Sequence, residues 1–577
     1  MFRTAVTVSR TWVLGVLVCA VGLVGCGDSK ADDATDGGVD AAISDEDREA
    51  LSEALFDREH LIEVEVELDD DDWETIRHEG RSLPAVFSGC AFDFEYTYVS
   101  GTVTVDGERY EDVAVRKKGY LGSLSVGRPS LKVNFGKSLD GSMANEGRTH
   151  AGMKRMTLNN DHSDPSHAHQ CMAYDIFRAA GSVSSRCNFA HVVVNGEDLG
   201  IYSHIESVKK PMLRRHFDDD DGNLYEGQGG DFTEVRKPLL ELKTNEREND
   251  RSDIDRVIDA LEADDDALLE ELGAVVNIDA FLTFWVMEVM SGHWDSYSGG
   301  RNNFLTYHDP TSDQFHFIPW GTDGAFTQTR VFDPRNTAFT LLADGIVANR
   351  LYNHPEGRQM YLDRFAELFD EVWDEDALLA QADSIGDFTD PVPGAVDAVK
   401  QSIRDQTTEI RRELGLEPVE WIESGVEETE IMCLADYPQP ISGTFDTTWG
   451  SMMMPGFGAR IEADIEGWDS SLAYVAADTD PDQPGTASIF FFTPQGEDRF
   501  IILALSVPQD QFVPGTHDMH GFETVGYLVD SDPMTPDDLR FIGFVGGGTV
   551  TFEQASMTFG EPVSGSFEGE LAMTQAP

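Results

Sequence analysis

The chain has 577 residues, long enough for two or three domains with sizeable cores, and 106 acidic against 42 basic residues leave a net charge of −64. A surface this acidic repels nucleic acid and anionic headgroups, which excludes DNA or RNA as a partner. The acid runs "LDDDDW" (68–73) and "FDDDDG" (217–222) lack the spaced ligands of a calcium loop and read as solvated turns.

At the N-terminus Arg3 and Arg10 precede the apolar run "TWVLGVLVCAVGLVGC" (11–26), the layout of a secretory signal. Its ending, Leu23-Val24-Gly25-Cys26, is similar to a bacterial lipobox. The expectation is therefore a signal peptide over 1–26 with lipidation at Cys26 and the membrane touched only through that anchor. Gly27 after the Cys points to the outer membrane or cell surface. Residues 27–56 are mostly small and acidic and read as a flexible tether. Of the remaining thiols, Cys90, Cys171, Cys187 and Cys433 suggest two disulfides with three possible pairings, Cys171–Cys187 being favoured by one short intervening helix.

"LIEVEVEL" from Leu61 alternates in period two, a half-buried strand, and "DDDDWETIRHEG" opens a short helix. "GTVTVDGERYEDVAVRKKGY" predicts a hairpin turning at Asp106-Gly107, and "PSLKVNF" continues the strands. In "SDPSHAHQCMAYDIFRAAG" a helix is expected from a Ser163 or Asp164 cap, with Pro165 in its first turn and Gly181 at its end. "AHVVVNGEDLGIYSHIESV" returns to strands about Asn195-Gly196. Helical patterns follow over roughly 251–290 and 355–413, flanking a strand-like stretch after Asn303. The predicted class is α+β: one large mixed domain over 57–415, a linker over 416–437, and a β-sandwich over 438–577 with regular turns and alternating apolar residues.

Phosphate loops, HExxH and nucleophile elbows are absent. His162, His167 and His169 match no common metal frame, and the latter two are expected at the start of an exposed helix. More informative are Asp295, after the apolar run "AFLTFWVMEVMSGHWD", Asn303, opening the next strand, and Asp323, just past "HFIPWG". Neighbouring elements tend to be neighbours in space, so these three are candidates for one cleft. Carboxylates brought together there repel unless a cation lies between them, and an Asp/Asn/Asp set is hard-oxygen chemistry suited to Mg²⁺ or Mn²⁺. The competing reading is of Asp and Asn residues that merely cap turns.

"LIEVEVELDDDDWETI", "DVAVRKKGYLGSLSVGRPSLKVNF", "KRMTLNNDHSDPSHAHQCMAYDIFRAAG", "VVVNGEDLGIYSHIESV", "GNLYEG", "HWDSYSGGRNNFLTYHD" and "HFIPWGTDGAF" together resemble, in order, the CotH kinase family of spore-coat-protein-H-like atypical protein kinases. The resemblance implies a kinase-like fold and ATP with Mg²⁺ or Mn²⁺ as cofactor. It further implies phosphate transfer to Ser or Thr of an extracytoplasmic protein substrate. In that frame Lys132 matches the phosphate-contacting lysine, Asp295 the catalytic acid residue, and Asn303 with Asp323 the metal-holding pair. Gly119 and Gly122 would let backbone amides approach phosphates, and Glu206 would pair with Lys132. The family commonly reads Pro-Trp-Asp-x-Asp where this chain has Pro-Trp-Gly-Thr-Asp, with Gly321 in place of a carboxylate. That departure keeps a second reading open, a non-catalytic structural or adhesive surface lipoprotein.

Overall fold

The alternation of β1 (Leu61–Glu67) buries Ile62, Val64 and Val66 on one face, and that face closes a barrel. The structure, a computed structural model, describes residues 45–80, 95–119, 125–327, 338–421 and, apart from short gaps, 439–573. The signal segment, Cys26, Cys90, Gly122 and Cys433 lie outside the described residues. The chain divides into two compact units, whose elements fall between 45 and 421 and between 439 and 573.

In the larger unit β1 is joined by β2 (Val99–Val105), β3 (Glu108–Lys118), β4 (Ser130–Asn134), β5 (Arg155–Asn159), β6 (Cys187–Val194) and β7 (Glu197–Ile205). They form a closed barrel in the order β1-β2-β3-β4-β5-β7-β6, sealed by parallel pairing of β1 with β6. The two hairpins turn where expected, with Asp106-Gly107 and Asn195-Gly196 all at positive φ. Val113, Val115, Leu131, Val133, Met156 and Leu158 fill the barrel interior. The expected tether ends sooner than 56: Asp45–Leu55 is a helix, and Leu55 and Phe56 are buried against the barrel core. Its "REALSEAL" run offers enough apolar surface to dock, which acidic composition alone conceals.

The helix expected from Pro165 instead spans His169–Ala179. Asp164 explains the delay, because its carboxylate accepts from Ser166 N and Ser166 Oγ and, through the other oxygen, from His169 N at 2.8 Å. These bonds stabilise a local turn in competition with a helical one, and His167 stands at φ +59. His167 and His169 are buried, not exposed. Cys171 on this helix is joined by a disulfide to Cys187 at the head of β6.

Beyond the barrel, β8 (Leu224–Gly227), β9 (Leu240–Leu242), β10 (Phe304–Asp309) and β11 (Gln314–Pro319) form a sheet in the order β11-β10-β8-β9. The helix Ile278–Met290 is buried continuously from Phe281 to Met290, hence the lack of a polar stripe in its sequence. Its Trp285 stacks on Tyr361 of the helix Pro355–Glu371 at 3.9 Å.

The smaller unit differs from the expected sandwich. Its strands are β12 (Gln439–Thr448), β13 (Gly456–Ala463), β14 (Ala473–Asp478), β15 (Thr486–Pro494), β16 (Phe500–Pro508), β17 (Gly515–Asp518), β18 (Val525–Ser531), β19 (Leu539–Gln554) and β20 (Pro562–Met573). They form one antiparallel sheet, not two, in which β20 pairs with both β19 and β12 and so returns the sheet on itself. A sandwich and a self-closing meander both bury one face of every strand, so alternation cannot separate them. Among the described residues of the chain no helix is long and apolar enough to cross a membrane.

Candidate active site

Asp295, Asn303 and Asp323 come from three different stretches and lie at one place. Asp295 follows the buried helix Ile278–Met290. It is positioned through Glu288, whose carboxylate accepts from Tyr297 N at 3.2 Å and Ser298 N at 2.9 Å and so holds the short helix Tyr297–Gly300. Asn303 Nδ2 donates to Asp295 Oδ2 at 2.8 Å and to the Asp295 main-chain oxygen at 2.9 Å. Asn302 Nδ2 donates to the other carboxylate oxygen at 3.0 Å. Both Asp295 oxygens are thus engaged by amides, while Asn302 Oδ1 and Asn303 Oδ1 are buried with no hydrogen-bond partner.

Asp323 sits in the single 3-10 turn Thr322–Gly324 that follows β11 and Gly321. Gly321 is left-handed, φ +50 and ψ +45, and a Cβ there would lie 2.5 Å from Asn303 Oδ1. The turn is tied down on three sides. Ser163 Oγ donates to Asp323 Oδ2 at 3.0 Å, Phe326 N donates to Ser291 O at 2.7 Å, and the His169 ring bonds the Ala325 carbonyl. Asp323 is half-buried and Asp295 fully buried.

Desolvation pushes the Asp295 pKa well above the carboxylate range, and the Asp323 charge raises it further against the two amide bonds. Asp323 is also pushed up, first by desolvation and then by Asp164, with the Ser163 bond and His169 opposing. Among the described residues no lysine or arginine pairs with either acid. Two carboxylates without a lysine or arginine partner, beside two unmatched amide oxygens, fit a hard divalent cation with oxygen ligands.

Lys132 lies on β4, where it faces Arg116 of β3 and Thr157 of β5. Alternation puts Leu131 and Val133 in the barrel core and Ser130, Lys132 and Asn134 on the outer face, which is nonetheless buried. The same register brings Lys118, opposite Ser130, and Arg155, opposite Asn134, onto that face. Four buried cationic side chains therefore share one side of three strands. Hydrogen bonds lead from this face to the acidic turn: Lys118 to Asn159, Asn159 Nδ2 to Gln170 Oε1 at 2.8 Å, and Thr322 Oγ1 to Gln170 O at 3.4 Å. Arg116, Lys118, Arg155, Asn302 and Ser163 escape a reading of single strands; pairing "RKK" with "SLKVN" in register would have found the first two.

Gly119 follows β3 at φ +122, with Tyr96 Oη donating to its carbonyl at 2.9 Å. Glu206 does not serve the role expected of it. Both its oxygens are bonded by guanidinium groups, Arg186 Nη2 at 2.7 Å and Arg215 Nη1 at 2.7 Å and Nη2 at 2.5 Å. Thr157 pairs with both Lys132 and Ile205, so Ile205 shares the face of Lys132 and the next residue, Glu206, turns to the opposite one. His167 and His169 each have an acid beside them: His167 Nδ1 lies 2.8 Å from Asp161 Oδ2, and His169 Nε2 lies 3.4 Å from Asp164 Oδ1.

Residues 115–422, from β3 to beyond the last helix of the larger unit, match the family described as CotH kinase protein. The chain belongs to that family. It is 26% identical over 192 residues to the inner spore coat protein H of Bacillus subtilis, an alignment covering 31% of this chain and 52% of that protein. Against Rhizopus delemar it is 25% identical over 255 residues to spore coat protein homolog 1 (40% of this chain, 41% of that protein). It is 19% identical over 319 residues to invasin CotH2 of the same fungus (51% and 53%). The chain spans about half, or less, of the length of these relatives.

Proposed function

We propose that this CotH family member is a surface-anchored protein kinase that moves phosphate from ATP to Ser or Thr hydroxyls of extracytoplasmic proteins. The observation that carries the reading is the meeting of Asp295, Asn303 and Asp323 beside unmatched buried oxygens. Asp323 and Asn303 would hold Mg²⁺ or Mn²⁺, which when bound neutralises phosphate charge. Lys132 with its cationic neighbours would receive the phosphates, and Gly119 with Gly122 would let the backbone approach them. Asp295 would orient the acceptor hydroxyl and take its proton as the new O–P bond forms and ADP leaves. The location follows from the Cys26 lipid anchor read in the sequence, and relatives named for a spore coat and for invasion support a surface setting.

A thermal-shift titration of the full chain with ATP and Mn²⁺ tests the reading. Ligand at about a hundred times Kd stabilises the native state by about 2.7 kcal/mol. The expected result is a shift in wild type that is lost in Asp323→Ala and Lys132→Met, together with transfer of labelled γ-phosphate to a generic protein acceptor. Equal shifts in wild type and Asp323→Ala would remove it. A shift without transfer would support the second reading, a non-catalytic structural or adhesive surface lipoprotein, which Gly321 in place of the family carboxylate favours.

A further inference from the structure

We propose that Asn302, which the motif comparison leaves without a role, is a second amide ligand of the cation site, presenting its Oδ1 alongside that of Asn303. The inference rests on the cation reading above and assigns one more oxygen to it. A side-chain amide has a donor end and an acceptor end. Asn302 and Asn303 spend their donor ends on one carboxylate, Asn302 on Asp295 Oδ1 and Asn303 on Asp295 Oδ2. Turning either amide over would set its oxygen against the Asp295 carboxylate, so the orientation is fixed by the network. Both acceptor ends must then face away from Asp295, and both are buried without a partner. Buried orphan acceptors are rare in native proteins, and two on consecutive residues of one site call for a shared ligand.

That ligand must be a donor or a cation. Asp323 adds its charge to Asp295 from the neighbouring turn, and neither acid has a lysine or arginine partner among the described residues. Two acids and two neutral oxygens balance a divalent ion. Gly321, lacking a side chain, keeps the space next to Asn303 Oδ1 open. Tandem amides thus contribute oxygen ligands in a member whose Pro-Trp-Gly-Thr-Asp motif has one carboxylate fewer than the family pattern. A buried water bridging the two oxygens is the alternative, and it predicts no dependence of metal uptake on Asn302.

Titrating the full chain with Mn²⁺ alone, without nucleotide, and following loss of the free-ion electron paramagnetic resonance signal separates the two. Asn302→Ala is expected to weaken Mn²⁺ uptake at least tenfold. The swap Asn302→Asp with Asp295→Asn, which keeps one amide–carboxylate bond between the two positions and an oxygen at 302, is expected to take up Mn²⁺ within tenfold of wild type. Circular dichroism of the metal-free variants checks folding, and if the alanine variant does not fold the swap decides alone. Uptake by Asn302→Ala within twofold of wild type overturns the proposal, as does a loss of tenfold or more in the folded swap. Wild type that takes up no Mn²⁺ removes the cation reading with it. Intact uptake indifferent to Asn302 removes this inference only.

Discussion

An alanine at position 321 would have to adopt φ +50 and place its Cβ 2.5 Å from Asn303 Oδ1. The left-handed region disfavours an L-residue by roughly 1–2 kcal/mol. Asn303 cannot step aside cheaply, since its amide is held by both the side chain and the main chain of Asp295. Gly321→Ala should therefore lower unfolding free energy by roughly 1–2 kcal/mol in urea titrations and blunt the Mn²⁺-dependent thermal shift. Unchanged stability would mean that the turn relaxes freely and that the tight approach is no constraint. At this scale Asp295, Asn303 and Asp323 were legible because each borders a readable apolar element. Asn302 and the partners of Lys132 were not, because amide orientation and cross-strand register belong to pairs of segments. Glu206 was misread for a related reason: one residue along a strand exchanges the face of Lys132 for the face of Arg186 and Arg215.

The helix Ile278–Met290 and the short helix Tyr297–Gly300 are coupled by one carboxyl, and that coupling is sensitive to pH. Burial pushes Glu288 up to about 8, against the bonds from Ser298 and Tyr297 that favour its charged form. A carboxyl whose folded pKa exceeds its unfolded value of 4.5 binds more protons in the native state between those values. Its stabilisation is therefore complete below about pH 4.5 and is lost as pH rises through about 8, at up to about 1.4 kcal/mol per pH unit. Glu288→Gln cannot ionise and loses one acceptor, so it should be less stable than wild type near pH 5. The gap should close, or reverse, by pH 8. Denaturant unfolding of both proteins across pH 5–8 checks this, and parallel curves would show that Glu288 titrates normally. The period of the strands and both hairpin turns could be read in advance, whereas most of the breaks that divide 251–290 and 355–413 into three helices each could not. The start of the helix at His169 could not, because Asp164 makes competing local bonds that a cap-and-period rule counts in favour of a helix.

The whole molecule carries 64 more acidic than basic residues, and folding concentrates that charge. Self-repulsion destabilises the compact state relative to the expanded one, and added salt screens it, the screening length falling from about 10 Å at 0.1 M to about 3 Å at 1 M. Salt also weakens ion pairs such as Arg256–Asp313. Exposed pairs contribute about 0–1 kcal/mol each, and every basic residue could be paired and still leave the acidic excess untouched. The clamp on Glu206 is buried and is screened far less. Repulsion should therefore decide the sign. Raising NaCl from 0.05 to 1 M should raise the unfolding midpoint of the metal-free chain, and a gain of about 1 kcal/mol corresponds to roughly 2 °C or more. KCl should do the same at equal ionic strength, since screening does not depend on the identity of the cation. A midpoint that falls with salt would mean that specific ion pairs outweigh the acidic excess. A rise with sulfate but not chloride would point to surface exclusion of the salt instead.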